Sequence, residues 1–163
     1  MRGARSRARR RRRVKIRDEC DPATFNAVIG PGTCVGDGTM TFSEFIAELA
    51  ATQQVATWRF APRRASVERG ERIVARNVGG EVHTFTEVAE FGPGIVPELN
   101  ELVFGVPGPP LAEFLDLEPS DFIAPGERVR LRTGKHGLRP GRHRFECAIH
   151  PWMRTTIRVT RDD

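Results

Sequence analysis

The sequence predicts an all-β domain, an antiparallel sandwich or barrel, and three observations carry that expectation. From Val55 onward, short runs that alternate apolar and polar residues follow one another. Gly and Pro punctuate the gaps between them. Ahead of them, one segment has the 3.6-residue period of a helix. At 163 residues the chain is long enough to close a core without a metal to fold around. No apolar run approaches the roughly 20 residues of a membrane span.

The chain begins MRGARSRARRRRRVKIR, which holds nine Arg and one Lys and no acid. Beyond it, 16 of the 26 basic residues face all 21 acidic ones, so the rest of the chain carries a net charge of −5. Like charges in a block repel, and residues 1–17 are expected to form a disordered Arg-rich tail. A pI near 10 usually points to nucleic acid, but this block has no interleaved aromatics, and no nucleic-acid-binding module is expected in the folded part. No apolar stretch of signal-peptide length follows the arginines.

Residues 18–54 read as an N-terminal extension. Cys20 and Cys34 flank DPATFNAVIGPGT and are spaced to close a disulfide loop, worth about 3 kcal/mol at 15 residues. Two unpaired small hydrophobes are the alternative. Thr41 and Glu44 then have the form of a capping box, and Phe42, Phe45, Ile46 and Leu49 share one helical face, which predicts a helix over 42–52.

The β domain is expected over 55–163. VATWRF, RASVERGERIVARN and EVHTFTEV supply the early strands, with His83 and Phe85 on one side of the last. ERVRLRT, RHRFEC and RTTIRVT supply the late ones, with His143, Phe145 and Cys147 sharing a face. Between the groups, residues 91–122 are too rich in Pro and Gly for strands and too apolar for a linker. They are expected to form a long packed excursion over one end of the sandwich.

CAIHPWM holds the chemistry. Cys147, His150 and Met153 are spaced CxxHxxM at a strand end, where a tight loop folds three side chains toward one point. Thiolate and thioether are soft donors and imidazole is intermediate, so the set favours copper over magnesium or calcium, with zinc the main competitor. His83, at the head of an alternating strand after a Gly-Gly turn, is the best fourth ligand. His143 lies four residues up the strand from Cys147, about 13 Å away in extended chain, too far for the same ion. His136 reads as a solvated turn residue.

From about Thr57 to Val159, the residues WRFAPRRASVERGERIVARNVGGEVHTF and GRHRFECAIHPWMRTTIRV resemble the cupredoxins, the small blue copper proteins, and CAIHPWM is similar to the short ligand loop of the amicyanin type. The resemblance implies a Greek-key sandwich and one mononuclear type 1 copper held by His83, Cys147, His150 and Met153. It implies an electron carrier that cycles between Cu(II) and Cu(I) and meets redox donor and acceptor proteins in a periplasmic or other extracytoplasmic space. His150 would then present an edge to solvent beside Pro151 and Trp152. Two departures stand out: Thr84 follows His83 where these proteins usually have Asn, and the 18–54 segment is additional. Oxidases of this fold wire the type 1 site to a second centre through a histidine beside the cysteine. Here Glu146 and Ala148 flank Cys147, so no enzyme activity is expected. Copper storage, delivery or sensing is the alternative function.

Overall fold

The structure is a computed structural model that describes residues 10–161. Its strands are β1 (Arg11–Arg17), β2 (Arg59–Ala61), β3 (Arg64–Glu68), β4 (Arg72–Asn77), β5 (His83–Thr84), β6 (Thr86–Val88), β7 (Phe122–Ile123), β8 (Arg128–Arg132), β9 (Gly141–Glu146) and β10 (Arg154–Thr160). Helices α1 (Pro22–Ile29), α2 (Phe42–Thr52) and α3 (Pro97–Phe104) lie between them. One sheet has the order β2-β1-β4-β8 and the other β3-β10-β9-β6, while β5 and β7 form a small third ladder. Inward residues of both large sheets, among them Ile16, Phe60 and Ile73 from the first and Phe145, Ile157 and Val159 from the second, share one hydrophobic core. That shared core makes the molecule a β-sandwich.

The sheets are mixed, where an antiparallel arrangement was expected. β1 runs parallel to β4 and β10 parallel to β3. The remaining neighbours in the two large sheets are antiparallel.

The largest correction concerns the arginine block. Arg11–Arg17 is a central strand, hydrogen-bonded to β2 on one side and β4 on the other. Val14 and Ile16, two apolar residues two apart, point into the core and are 1% and 0% exposed, while Arg11, Arg13 and Lys15 face outward. Period-2 alternation inside a charged run decided the outcome. The rest of the expected tail, residues 1–9, lies outside the described residues.

The 18–54 segment belongs to the same core. Phe25 of α1 and Phe45 and Leu49 of α2 are buried in it together with Trp58. Asp21 caps α1 by accepting from Thr24 N at 3.1 Å. Thr41 and Glu44 close the capping box that opens α2, at 3.2 and 3.0 Å. Cys20 and Cys34 form a disulfide. The packing therefore has no boundary at residues 17/18 or 54/55.

Residues 91–122 form the packed excursion over the sandwich end, although with more order than the sequence implied. The excursion contains α3 and two short 3-10 turns, Ala112–Phe114 and Pro119–Asp121. Asn100, fully buried on α3, ties it down by accepting from Gly94 N at 2.8 Å and donating to Gly94 O and Pro107 O. Ile95 N then donates to Ala148 O at 2.8 Å, which fixes the excursion against the loop after β9.

Candidate metal centre

The strand β9 ends at Glu146 and delivers Cys147 into a tight turn. Cys147 N donates to Met153 O (3.1 Å) and Met153 N to His150 O (2.9 Å), so two backbone bonds draw residues 147, 150 and 153 together. His83 arrives from the opposite side at the head of β5, held by pairing with Ile123 of β7. Nδ1 of His83 and Nδ1 of His150 each stand 3.8 Å from Cys147 Sγ. The three donor atoms lie within 4.8 Å of one another, and all three residues are buried. Met153 is 0% exposed and packs in the same core as Cys147.

This spacing fits a metal. Bonds of about 2.0 Å to nitrogen and 2.3 Å to sulfur, set at a trigonal angle, separate their donor atoms by about 3.7 Å. One thiolate and two imidazoles, with a methionine in the same turn, is a copper donor set rather than a magnesium or calcium one. Cys147 is also chemically prepared. Burial pushes its thiol up, but the hydrogen bonds and charges of His150 and His83 outweigh burial and hold it well below the usual thiol value. Thr84 N donates to the sulfur at 3.4 Å and adds to that preference for thiolate.

Behind each imidazole stands a buried carboxylate. His83 Nε2–H donates to Asp18 Oδ2 at 2.6 Å, with both side chains at or below 1% exposure. His150 Nε2 lies 3.4 Å from Glu81 Oε2, and that same oxygen accepts from Trp58 Nε1 at 2.7 Å. A carboxylate accepts only, so each pairing holds a proton on Nε2; without a metal Nδ1 keeps a proton directed at the sulfur, and a bound metal would displace that proton and take the Nδ1 lone pair. Asp18 also accepts from Gly80 N (2.9 Å) and Glu81 N (3.0 Å). Burial would raise its pKa, yet His83 and these two amides bring it below the usual carboxylate value. Burial likewise opposes the charged form of His150, and the Glu81 charge and Cys147 overcome it, which pushes that imidazole up to about 10. Gly79 and Gly80 explain how Asp18 comes so near. A Cβ on Gly79 would overlap the Asp18 carboxylate, and one on Gly80 would overlap Val35 O and crowd Cys20 Sγ.

The sequence expectations meet the geometry differently. His83, Cys147 and His150 do converge. His150, however, does not show an edge to solvent: it is 3% exposed, with Phe45 of α2 and Trp152 standing edge-on to its ring at 6.4 and 5.5 Å between centroids. The helix ahead of the sandwich closes that face. Thr84 ties the ligand turn to its strand, because its buried hydroxyl accepts from Ala148 N at 2.8 Å and so joins β5 to that turn. His143 stands apart from the group, with Nδ1 2.6 Å from Glu87 Oε1 and Nε2 2.7 Å from Arg139 O. His136 is an exposed turn residue.

The carboxylates were missed by sequence reasoning. Glu81 left a faint signal, two residues before His83 in GGEVH. Asp18 left almost none, since 65 residues separate it from its imidazole. Glu146, valued earlier only for not being histidine, is 0% exposed. It accepts from Gly92 N at 3.1 Å, lies 3.5 Å from Arg154 Nε, and has one oxygen with no partner among the described residues. Burial raises its carboxyl to about 8 against the pull of Gly92 N and Arg154.

No protein-family model and no curated protein matches the sequence. Among solved structures, the chain is similar to a purple cupredoxin from Nitrosopumilus maritimus, with 11% identity over 91% of this chain and 99% of that one and a TM-score of 0.49. It is similar to plastocyanin from Dryopteris crassirhizoma, with 18% identity, the same coverage and a TM-score of 0.45. It is also similar to amicyanin from Paracoccus versutus, with 14% identity over 65% of this chain and 76% of that one and a TM-score of 0.40.

Proposed function

We propose that the chain is a mononuclear type 1 copper protein that carries single electrons between redox proteins. In this reading His83, Cys147 and His150 form the trigonal ligands and Met153 the weak axial one. The observation that carries it is the convergence of two Nδ1 atoms on one buried thiolate, each at 3.8 Å. Copper bound there would supply a Cu(II)/Cu(I) couple. The protein's residues do the remainder. Cys147, shut away from water, stays a thiolate, and Thr84 N restrains its sulfur. Asp18 and Glu81 keep both imidazoles in one tautomer and one orientation, so little needs to move when an electron arrives or leaves.

Several observations favour a carrier over an oxidase. Among the described residues there is one group of three metal-binding side chains, and Cys147 is flanked by Glu146 and Ala148 rather than histidine. Burial of all three donors disfavours handing the metal on, as a delivery protein must. The Cys20–Cys34 disulfide supports a periplasmic or extracytoplasmic location.

Cu(II) titration of the apoprotein tests the reading. An intense visible thiolate-to-copper band, reversible one-electron voltammetry, and loss of the band in Cys147→Ser are expected. A colourless complex, or a band that survives Cys147→Ser, would overturn the type 1 assignment. Tight Cu(I) binding without reversible cycling would favour storage or delivery.

A further inference from the structure

The outward face of β3, β10 and β9 is an unbalanced arginine surface. Strand register sets Arg158 directly opposite Arg142, and sets Thr156 between Arg64 on one side and Arg144 on the other. Arg12 of β1 reaches the same face and donates from Nε to Ser66 O at 3.1 Å. Like charges placed opposite each other across strands are destabilising. None of these five arginines is in an ion pair among the described residues, and no carboxylate lines the depression they surround. An arrangement that costs the free protein stability is relieved when an anionic surface covers it.

This face leads toward the metal centre. Arg64 and Thr156 also line an adjoining groove of about 620 Å³, which holds Arg59, Arg63 and Arg154 together with Trp152 and, among the described residues, again no acid. Trp152 is half-buried, and its ring stands edge-on to His150, 5.5 Å between centroids. Phe45 of α2 covers another side of the His150 ring, and Trp152 links that imidazole to the open groove. An apolar floor with a charged rim has the anatomy of a transient protein interface.

We propose that this groove and the arginine face beside it dock a redox protein with an acidic surface, and that the electron crosses through Trp152 and His150. The proposal rests on the copper-carrier reading. The step is a one-electron outer-sphere transfer: the partner's reduced centre loses one electron and Cu(II) gains it, with no bond made or broken. A nucleic acid or an anionic membrane would match the charge but would make no use of the route to His150.

Stopped-flow reduction of the full-length Cu(II) protein tests this, with reduced cytochrome b5 as the acidic probe and hexaammineruthenium(II) as a small cationic one. The cytochrome rate is expected to fall at least about tenfold from low salt to 0.5 M salt. In Arg64→Glu/Arg158→Glu it should fall about tenfold at low salt, while the ruthenium rate holds or rises. Trp152→Leu should slow the cytochrome with the visible band unchanged. Arg64→Gln/Arg158→Gln, with a smaller expected loss, replaces the charge reversal if that variant fails to fold. A cytochrome rate that is indifferent to salt and to these variants in correctly coloured protein overturns the proposal. So does tighter binding to duplex DNA or to phosphatidylglycerol vesicles than to the cytochrome. If neither reductant delivers an electron to wild-type protein, the carrier reading itself has failed.

Discussion

At the scale of single residues, the two histidines are not equivalent. Asp18 accepts from His83 Nε2–H at 2.6 Å, and Glu81 approaches His150 only to 3.4 Å while shared with Trp58. Negative charge behind a ligating imidazole makes it more basic and favours Cu(II). Asp18→Asn should therefore raise the reduction potential, and Glu81→Gln should raise it less; voltammetry of the two variants checks the order. Copper affinity should drop by about 10- to 100-fold in Asp18→Asn. An unchanged potential with an intact blue band would show that Asp18 only fills space. The ligands were legible in the sequence because CxxHxxM is local and its chemistry is carried by residue type. Asp18 was not, because a carboxylate among 21 acids becomes special only when the fold carries it across 65 residues.

At the scale of elements, the N-terminal segment is the site's wall. Both α2 and the Cys20–Cys34 loop pack on the core that holds Cys147. Removing the disulfide with Cys20→Ala/Cys34→Ala should cost about 3 kcal/mol, read as a lower urea midpoint at similar slope. An effect within 0.5 kcal/mol would mean the surrounding packing already fixes the loop. The helix α2 could be read residue by residue, cap included, since capping boxes and amphipathic stripes are short-range signals. The helices α1 and α3 escaped notice for the same physical reason. Each is eight residues long and begins with Pro, and their few apolar contacts are set by what lies across the fold.

At the scale of the whole molecule, β1 decides whether there is a domain. It lies between β2 and β4, so deleting residues 1–17 should remove the ladder bonds on both of its sides and abolish cooperative unfolding. A truncated chain that still melted in one sharp transition would count against the described topology. Composition hid this strand, because nine arginines in residues 1–17 outweigh Val14 and Ile16 in any average, although those two keep strict alternation. The sandwich itself was readable from Val55 onward. Its parallel pairings were not, because partners so far apart in sequence leave no turn to mark them. Asp18 is the residue immediately after β1, so the strand that joins β2 to β4 also brings the hydrogen-bond acceptor for His83. Completion of the architecture and maturation of the metal pocket are thereby one event, and the hue of the loaded protein becomes an optical gauge of whether its first strand is home.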